Sequence, residues 1–289
     1  MARTVNQGFE VFLERLTPTK AQREAGAGHR ASVKAALEAR LDVKSFRETG
    51  SFSHGTGIRG RSDIDALVGL GNKPDSSYTA LTRVKEALEK RFPLTPVKIR
   101  RPAVVIEFGG GYETWEVIPG FMTLRGAKDQ YVWDIPAPSA GTAWIDAAPV
   151  EHLNYVNECN KKPTRGCAKS LARLIKAWKY YCNVPISSFY LEMRAAQHVH
   201  GVDTYIHVWD LCLLLEKLDG HKLAAMNDPK GASGRINACS SDSTRTDALS
   251  KLSTAAGRAR KALDAYRDDK TDTAFTYLDL LFGGNFPAR

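Results

Sequence analysis

The feature that most constrains the fold is a pair of aspartates at the start of an apolar run, Asp63-Ile64-Asp65 before Ala66-Leu67-Val68. A short apolar run bounded by turn residues is typical of a buried strand. Side chains two residues apart on a strand point to the same face, so the two carboxylates are expected to converge on one point. An isolated pair of this kind usually marks a polar loop that meets a strand, and this is the alternative interpretation.

A glycine–serine turn precedes the two aspartates by a short loop. Gly50-Ser51-Phe52 predicts a turn that can hold a triphosphate. Two convergent carboxylates beside such a turn suit a pair of Mg²⁺ ions that act on a nucleotide. Because the turn lies at a suitable distance and Asp65 leads into an apolar strand, the polar-loop alternative is the less favoured one.

A third carboxylate is expected on a later strand. Residues 112–118 alternate like a strand, with Glu116 on one face and Trp115 on the other. Glu116 stands among apolar neighbours, where a carboxylate is costly unless it meets a cation, a metal or water. Glu107, at the edge of a glycine turn, and Glu113, expected to face solvent, are the rivals. Glu116 is therefore the predicted third acid.

Four separated motifs, in the expected order between about residues 45 and 265, resemble a known family. The glycine–serine turn with S-D-I-D-A-L-V, and T-W-E-V-I-P-G-F at 114–121, look like the catalytic strands of DNA polymerase β-like nucleotidyltransferases. L-A-R-L-I-K-A-W-K at 171–179 and P-I-S-S-F-Y-L-E-M at 185–193 are similar to the helical half of 2′-5′-oligoadenylate synthetases. They are also similar to that of the bacterial cGAS/DncV-like nucleotidyltransferases (CD-NTases). The third acid departs from the family pattern, because aspartate is commoner there.

The resemblance implies a role for each motif. Three acids would be catalytic and would bind two Mg²⁺ ions, with Mn²⁺ as the alternative metal; the donor triphosphate would lie on the turn and on two helices, and an aromatic side chain would stack on the donor base. A solvated basic face, a helix cap and a core aromatic are the alternatives for the helical residues, and Lys179 is expected to be peripheral. The implied acids are Asp63, Asp65 and Glu116, the implied phosphate ligands are Gly50, Ser51, Arg173, Lys176 and Ser188, and the stacking residue is Phe189.

Several other residues have simpler expected roles. Ser187 is expected to cap the second helix, and an apolar stripe at 171, 174, 175 and 178 is expected in the core, as is Trp209. His54 and Arg59 are expected in an ordinary polar loop, with contact to phosphate or acceptor as the alternative. The resemblance implies that the polar loop at 227–243 lies near the nucleotide.

Composition narrows the class of protein. A net charge of +9 and a pI near 9.3 imply an anionic partner, either nucleic acid or nucleotide phosphates, although an ordinary basic protein would look the same. Five cysteines without CxxC or paired His-Cys spacing predict free thiols in a reducing compartment. Neither a signal peptide nor a run of membrane-spanning length is recognisable, so a cytoplasmic location is expected.

The predicted fold is α+β, a polymerase β-like palm with a mixed sheet packed against a C-terminal helical lobe. The catalytic lobe, with a long N-terminal helix, is expected over residues 1–148 and the helical nucleotide-binding lobe over 149–289. Predicted strands cover 45–52, 64–70, 97–108 and 112–118, and 120–150 is expected to be irregular. Predicted helices cover 7–16, 20–41, 78–91, 150–159, 164–182, 188–200, 205–218, 244–268 and 272–282.

The function implied is that of a template-independent nucleotidyltransferase. It would join NTPs into a cyclic di- or trinucleotide that activates a separate effector in antiphage signalling, without an obligatory nucleic acid or a membrane, and as a monomer. One alternative is a nucleotidyltransferase that adds NMP to hydroxyls of RNA, protein or a small molecule. Another is a nucleotide- or RNA-binding module without activity, which the intact trio of acids disfavours.

Overall fold

The computed structural model describes residues 4–61, 63–111, 113–128, 130–139, 141, 143–162 and 166–289, apart from the side chains of residues 23 and 25–27. The start of the helix predicted from 164, and Tyr112 at the start of a predicted strand, lie outside the described residues. The helices are α1 (Val5–Leu16), α2 (Lys20–Glu38), α3 (Gly50–Ser53), α4 (Ser77–Arg91), α5 (Pro149–Cys159), α6 (Cys167–Tyr181), α7 (Ser188–His200), α8 (His207–Gly220), α9 (Asp242–Arg267) and α10 (Thr271–Leu281). The strands are β1 (Val43–Thr49), β2 (Ile64–Leu70), β3 (Val97–Arg100), β4 (Ala103–Phe108), β5 (Glu113–Met122), β6 (Trp133–Pro136), β7 (Trp144–Ala147), β8 (Met226–Asn227) and β9 (Arg235–Ile236).

The first half of the chain, the palm, is built on a mixed sheet in the order β1-β2-β5-β4-β3, which β6 and β7 extend. At its centre β2 and β5 run parallel, and every other pairing is antiparallel. Trp115 and Val117 of β5 are fully buried, as the period-two alternation predicts. Glu116 faces the other way, beside its register partner Asp65. The sheet thus places these two acids next to each other, opposite the core of the palm.

The second half, the helical lobe, has its own core around α6. The predicted apolar stripe on α6 is confirmed, because Leu171, Leu174, Ile175 and Trp178 are at most 1% exposed. Helix α1 packs into this core through Phe9 and its neighbours, although the sequence analysis grouped it with the palm. Helix α5 begins at residue 149, where the second lobe is predicted to start. Helix α1 precedes that position in sequence, but its side chains pack in the core of the helical lobe.

A loop of the palm is inserted into the helical core. Ile58, between α3 and β2, is 1% exposed among the side chains of the helical lobe. The next residue, Arg59, donates its backbone N–H to the Leu16 carbonyl at 2.7 Å and its guanidinium to the carbonyls of Thr17 and Glu14 at 2.8 and 3.0 Å. These carbonyls lie at the end of α1, where the regular hydrogen bonds of the helix run out. The loop that follows the glycine–serine turn is therefore held by the helical lobe.

Several predicted element bounds are wrong for local reasons. The strand predicted over 45–52 ends at Thr49, because Gly50 takes a left-handed conformation with φ +63° and begins α3. The strand predicted over 97–108 is a hairpin that turns at Pro102, which has no N–H for the ladder. Residues 120–150, expected to be irregular, contain the end of β5 and the β6–β7 pair. Trp209, expected in the core, is 38% exposed.

The α+β class is confirmed, with the sheet in the palm and helices filling the C-terminal half. In the described part of the chain, every helix is too short or too polar to cross a lipid bilayer.

Candidate active site

A cavity of about 620 Å³ lies between the palm and the helical lobe. It collects residues from β2, α3, β5, α6, α7 and the β9 hairpin, so both halves of the chain form its walls. One predicted site residue, Arg173, is absent from its lining. The predicted residues that line it are Gly50, Ser51, Asp63, Asp65, Glu116, Lys176, Ser188 and Phe189.

Three carboxylates share the palm wall of the cavity. Burial, then the carboxylates of Glu116 and Asp63, raise the pKa of Asp65 to about 8. Burial and Glu116 likewise raise the pKa of Asp63 to about 6, against the effect of a nearby arginine. Asp65 therefore keeps its proton near neutral pH unless a cation offsets the repulsion from its neighbours.

Gly50 is required at the turn because of Asp65. A Cβ at Gly50 would lie 1.8 Å from the Asp65 Oδ2 atom, and the φ of +63° is itself unfavourable for other residues. The glycine of the glycine–serine turn therefore lets α3 approach the carboxylate closely, and this brings Ser51 beside the acids.

Glu116, rather than either rival, lies beside the aspartates. Glu107 is 3.7 Å from the Lys98 ammonium, on the outer hairpin. Glu113 accepts hydrogen bonds from Trp115 Nε1 at 2.6 Å and from His29 Nδ1 at 2.9 Å. Both rivals have other partners and neither lines the cavity.

Arg100 at the end of β3 joins two of the carboxylates. Its guanidinium donates to Asp63 Oδ2 at 3.3 Å and to Glu116 Oε1. The side chain is 60% exposed, so it is free to swing away. Among the described residues, no three aspartate, glutamate, histidine or cysteine side chains are arranged so that they could hold a metal ion as they stand. The donor set still fits a hard divalent cation, because the three carboxylates offer only oxygen ligands, and burial and mutual repulsion raise the pKa values of Asp63 and Asp65 where a cation would relieve them.

A buried polar cluster joins the helical lobe to the palm under the carboxylates. Lys176 of α6 is fully buried, and its Nζ donates to Glu192 Oε2 of α7 and to Thr56 Oγ1 of the palm loop, each at 3.1 Å. Glu192 also accepts from the Thr56 hydroxyl and from His54 Nδ1. Burial alone would raise the pKa of Glu192, but Lys176, His54 and Thr56 outweigh it and lower the pKa to about 2.

The other basic residues of α6 have different surroundings from those predicted. Arg173 donates to the carbonyls of Gly55 and Gly57 at 2.5 and 3.4 Å, and so holds the palm loop. Lys179, predicted to be peripheral, donates from Nζ to Ser188 Oγ at 2.6 Å. Burial, then the neighbouring Lys176, lower the pKa of Lys179. Phosphate binding by Arg173 and Lys176 stays a prediction. Lys179 is not a predicted phosphate ligand, but it contacts Ser188, which is one.

The start of α7 presents a polar and an aromatic group to the cavity. Ser187 caps the helix by accepting from the Tyr190 N–H, as predicted, which leaves Ser188 free of the cap. Phe189 is 37% exposed towards the cavity and packs edge-to-face on His152, with ring centroids 4.9 Å apart. An exposed ring at a cavity wall suits a planar base.

The β8–β9 hairpin closes the same end of the cavity. Its Asp228 is buried and accepts from His152 Nε2 at 3.0 Å and from the backbone N–H groups of Lys230 and Ser233. Ser187 then donates its N–H to the Ala238 carbonyl at 2.7 Å. The resemblance implied that this loop lies near the nucleotide, and residues 233 and 235–237 do line the cavity.

Sequence reasoning missed the anchoring residues of the site. Glu192 is a carboxylate between Leu191 and Met193, and the criterion that selected Glu116, an acid among apolar neighbours, would have selected it too. His54 and Arg59 were assigned to an ordinary polar loop, although the structure shows both held by the helical lobe. Arg100 had no sequence signal, because only the sheet register brings β3 to the acids.

Two comparisons of sequence place this site among known proteins. The Second Messenger Oligonucleotide or Dinucleotide Synthetase (SMODS) domain matches residues 3–160. The CBASS oligonucleotide cyclase CdnC of Escherichia coli (strain KTE188) is 26% identical over 176 residues, which are 57% of this chain and 54% of the relative. The matched segment thus spans about half the length of the curated relatives.

Solved structures share the whole architecture. E. coli MS115-1 CdnC, determined with ATP, superposes with a TM-score of 0.78 at 18% identity and covers 98% of this chain and 99% of its own. Vibrio cholerae DncV, a cyclic AMP-GMP synthase determined with the linear intermediate 5′ pppA(3′,5′)pG, has a TM-score of 0.67 at 15% identity, covering 84% of this chain and 70% of its own. At these identities the likeness concerns the fold, and it confirms the predicted polymerase β-like palm with its helical lobe.

The carboxylate cluster predicts an unusual pH dependence of stability in EDTA. The pKa of Asp65 is raised above its unfolded value, so its contribution is most favourable at low pH and is lost as the pH rises towards about 8. Asp65→Asn should therefore gain stability over the parent between pH 6 and 8, by at most about 1.4 kcal/mol per pH unit. Urea unfolding of both proteins measures this difference, and a difference that does not change with pH would contradict the assigned environment.

Arg100 should compete with divalent cations for the carboxylates. Arg100→Gln is expected to strengthen Mn²⁺ binding, measured by electron paramagnetic resonance, by roughly threefold to tenfold, because a charge-assisted contact no longer has to be broken. Lys98→Gln is the matched control: it removes the same charge from the same strand face but contacts Glu107 instead. Equal changes in the Mn²⁺ affinity of the two variants would show that the effect comes from net charge alone.

Proposed function

The chain belongs to the Second Messenger Oligonucleotide or Dinucleotide Synthetase family, and on this premise we propose that it is a template-independent nucleotidyltransferase that joins NTPs into a cyclic di- or trinucleotide. The observation that carries the proposal is the cavity in which three carboxylates of the palm face Ser188 and Phe189 of the helical lobe. A nucleotide would use both walls of the cavity, because its phosphates would react beside the carboxylates of the palm while its base would lie against Phe189 of the helical lobe.

The donor NTP would lie across the two lobes. Ser51 would contact its triphosphate from the turn, and Ser188 would do so from the start of α7, where backbone N–H groups favour anions. Lys176, which is fully buried beside Glu192, would attract the phosphates through its charge from beneath the cavity wall. Phe189 would stack on the base; stacking does not select among bases, so this residue sets position and leaves base identity open. Gly50 would allow the phosphates to approach Asp65 closely.

Asp63, Asp65 and Glu116 would hold divalent cations, which we propose are two Mg²⁺ ions, with Mn²⁺ as the alternative. When bound, such ions stabilise the charge on the attacking and leaving oxygens of an in-line displacement at phosphorus. Asp65 or Glu116 would accept the proton of the acceptor hydroxyl, which attacks the α-phosphorus and releases pyrophosphate.

A second transfer in the same cavity, after the linear intermediate turns over, would close the ring. The names of the relatives support this step, since a related protein is a CBASS oligonucleotide cyclase and another was determined with a linear intermediate. We propose by analogy that the product activates a separate effector in antiphage defence, and that the enzyme acts as a monomer. A cytoplasmic location is part of this proposal, in accord with five free cysteines.

The proposal is tested by incubating the protein with all four NTPs and Mg²⁺ and separating the products by chromatography. A cyclic product is expected, and Asp63→Asn with Asp65→Asn should abolish pyrophosphate release while the protein stays folded. Glu116→Gln should lower the rate by orders of magnitude, because it keeps the shape and loses a metal-binding charge. Glu107→Gln, on the neighbouring strand, is the control. Transfer of NMP to an added RNA or protein without any cyclic product would favour the alternative nucleotidyltransferase.

Activity should not require nucleic acid. The described residues contain no His-Cys cluster with metal-ligand spacing of the kind that a zinc-bearing DNA-binding insertion would need. The net charge of +9 can attract DNA in a salt-sensitive, sequence-independent manner, but loose attraction does not favour an active state over an inactive one. A nuclease-treated preparation should therefore form product equally with and without duplex DNA or RNA. Strict dependence on either polymer would overturn this expectation.

A further inference from the structure

Glu192 lies on the same helix as the proposed base platform. It follows Phe189 by three residues and Ser188 by four, so one turn of α7 carries all of them. Its side chain is 3% exposed and points into the palm, where it accepts from His54 Nδ1 and the Thr56 hydroxyl. Glu192 is thus a direct link from α7 to the loop that follows the glycine–serine turn.

This loop is internally closed, so its position fixes that of Ser51. Thr56 donates its N–H to the Ser51 carbonyl at 2.9 Å. His54 donates its N–H to the Gly50 carbonyl at 2.9 Å. Both residues that bind Glu192 are therefore bonded to the turn itself, without an intervening side chain.

We propose that Glu192 is a positioning residue that fixes the spacing between Ser51, where the triphosphate binds, and Phe189, where the base stacks. The inference rests on the proposed function, since it assumes that one NTP uses both residues. A ligand that touches two sites gains affinity only when their spacing matches its length, whereas a ligand that touches one site is indifferent to the spacing.

A carboxylate suits this role better than an apolar side chain. Lys176, His54 and Thr56 each direct a hydrogen bond at Glu192, and hydrogen bonds restrict distance and angle more narrowly than apolar packing does. A buried charge with three partners is also costly to displace, because any movement leaves Lys176 uncompensated in the interior. The spacing is thereby held to one value.

The test compares three probes on the parent and on Glu192→Gln, with Ca²⁺ in place of Mg²⁺ to prevent turnover. They are the NTP that the parent binds most tightly, its nucleoside, and inorganic tripolyphosphate, all measured by calorimetry or by ligand NMR. Glu192→Gln should weaken NTP binding by roughly tenfold or more and each of the two fragments by less than about threefold. A parent that binds none of the four NTPs would refute the proposed function and the positioning role with it, whereas a parent that binds an NTP and a Glu192→Gln variant without selective loss would refute the positioning role alone.

Two further variants separate positioning from loss of fold. Thr56→Val keeps the volume and the Lys176–Glu192 pair but removes one link to the turn, and it should show the same selective loss to a smaller extent. Asp210→Asn is the matched control, because it disrupts a buried pair with His198 at 2.9 Å in the same lobe, away from the cavity. It should leave all three affinities unchanged.

Each contrary pattern has a definite meaning. If Glu192→Gln weakens tripolyphosphate as much as the NTP, the residue acts only through the charge of Lys176. If it weakens the nucleoside equally, it merely supports α7. Both patterns, and an unchanged NTP affinity, would overturn the positioning role.

Discussion

The ion pair between Lys176 and Glu192 lies at the point where the two lobes meet, and the geometry of the cavity depends on it. Burying a lysine and a glutamate costs several kcal/mol per ion unless each is paired and hydrogen-bonded. Here the requirement is met across the lobes, since Thr56 and His54 of the palm supply the bonds that the helical lobe lacks. Separating the lobes would leave this buried pair without its hydrogen bonds to Thr56 and His54, so the relative position of the lobes is tied to the same contacts that place the nucleotide site.

Beside this pair, the cavity is lined by carboxyl groups whose pKa values are shifted in opposite directions. Glu192 has its pKa lowered to about 2, because cationic and hydrogen-bonding partners outweigh its burial. Asp65 has its pKa raised to about 8, because burial and two neighbouring carboxylates act together. The first acid is satisfied by the protein and is structural, whereas the second keeps its proton near neutral pH unless an external cation binds. Such a divergence between neighbouring carboxyl groups is the signature of divided roles in a site.

The sequence predicted those parts of the molecule that depend on local pattern. Alternation on β5, helical periodicity on α6 and the cap at Ser187 are each encoded within a few residues, and the structure confirms them. Residues were missed where their role depends on a distant partner. Arg100 meets the acids through the register of three strands, and Arg59 caps a helix more than 40 residues away. The sequence of the basic face of α6 likewise does not indicate which lysine is buried and which contacts Ser188, because both depend on how α7 packs against α6.

Several contacts oppose separation of the two lobes at this site. The chain passes between lobes after α1 and again before α5, and the loop after α3 returns to the helical core through Ile58. Within that loop, Arg173 holds the carbonyls of Gly55 and Gly57, Glu192 holds Thr56, and the end of α1 holds Arg59. The glycine–serine turn begins directly before this segment, so it is the part of the palm whose position the helical lobe controls most closely. The acids on β2 and β5 belong instead to the rigid sheet. A nucleotide between them would therefore lie against one wall set by strand register and another set by interlobe hydrogen bonds, and its fit depends on both.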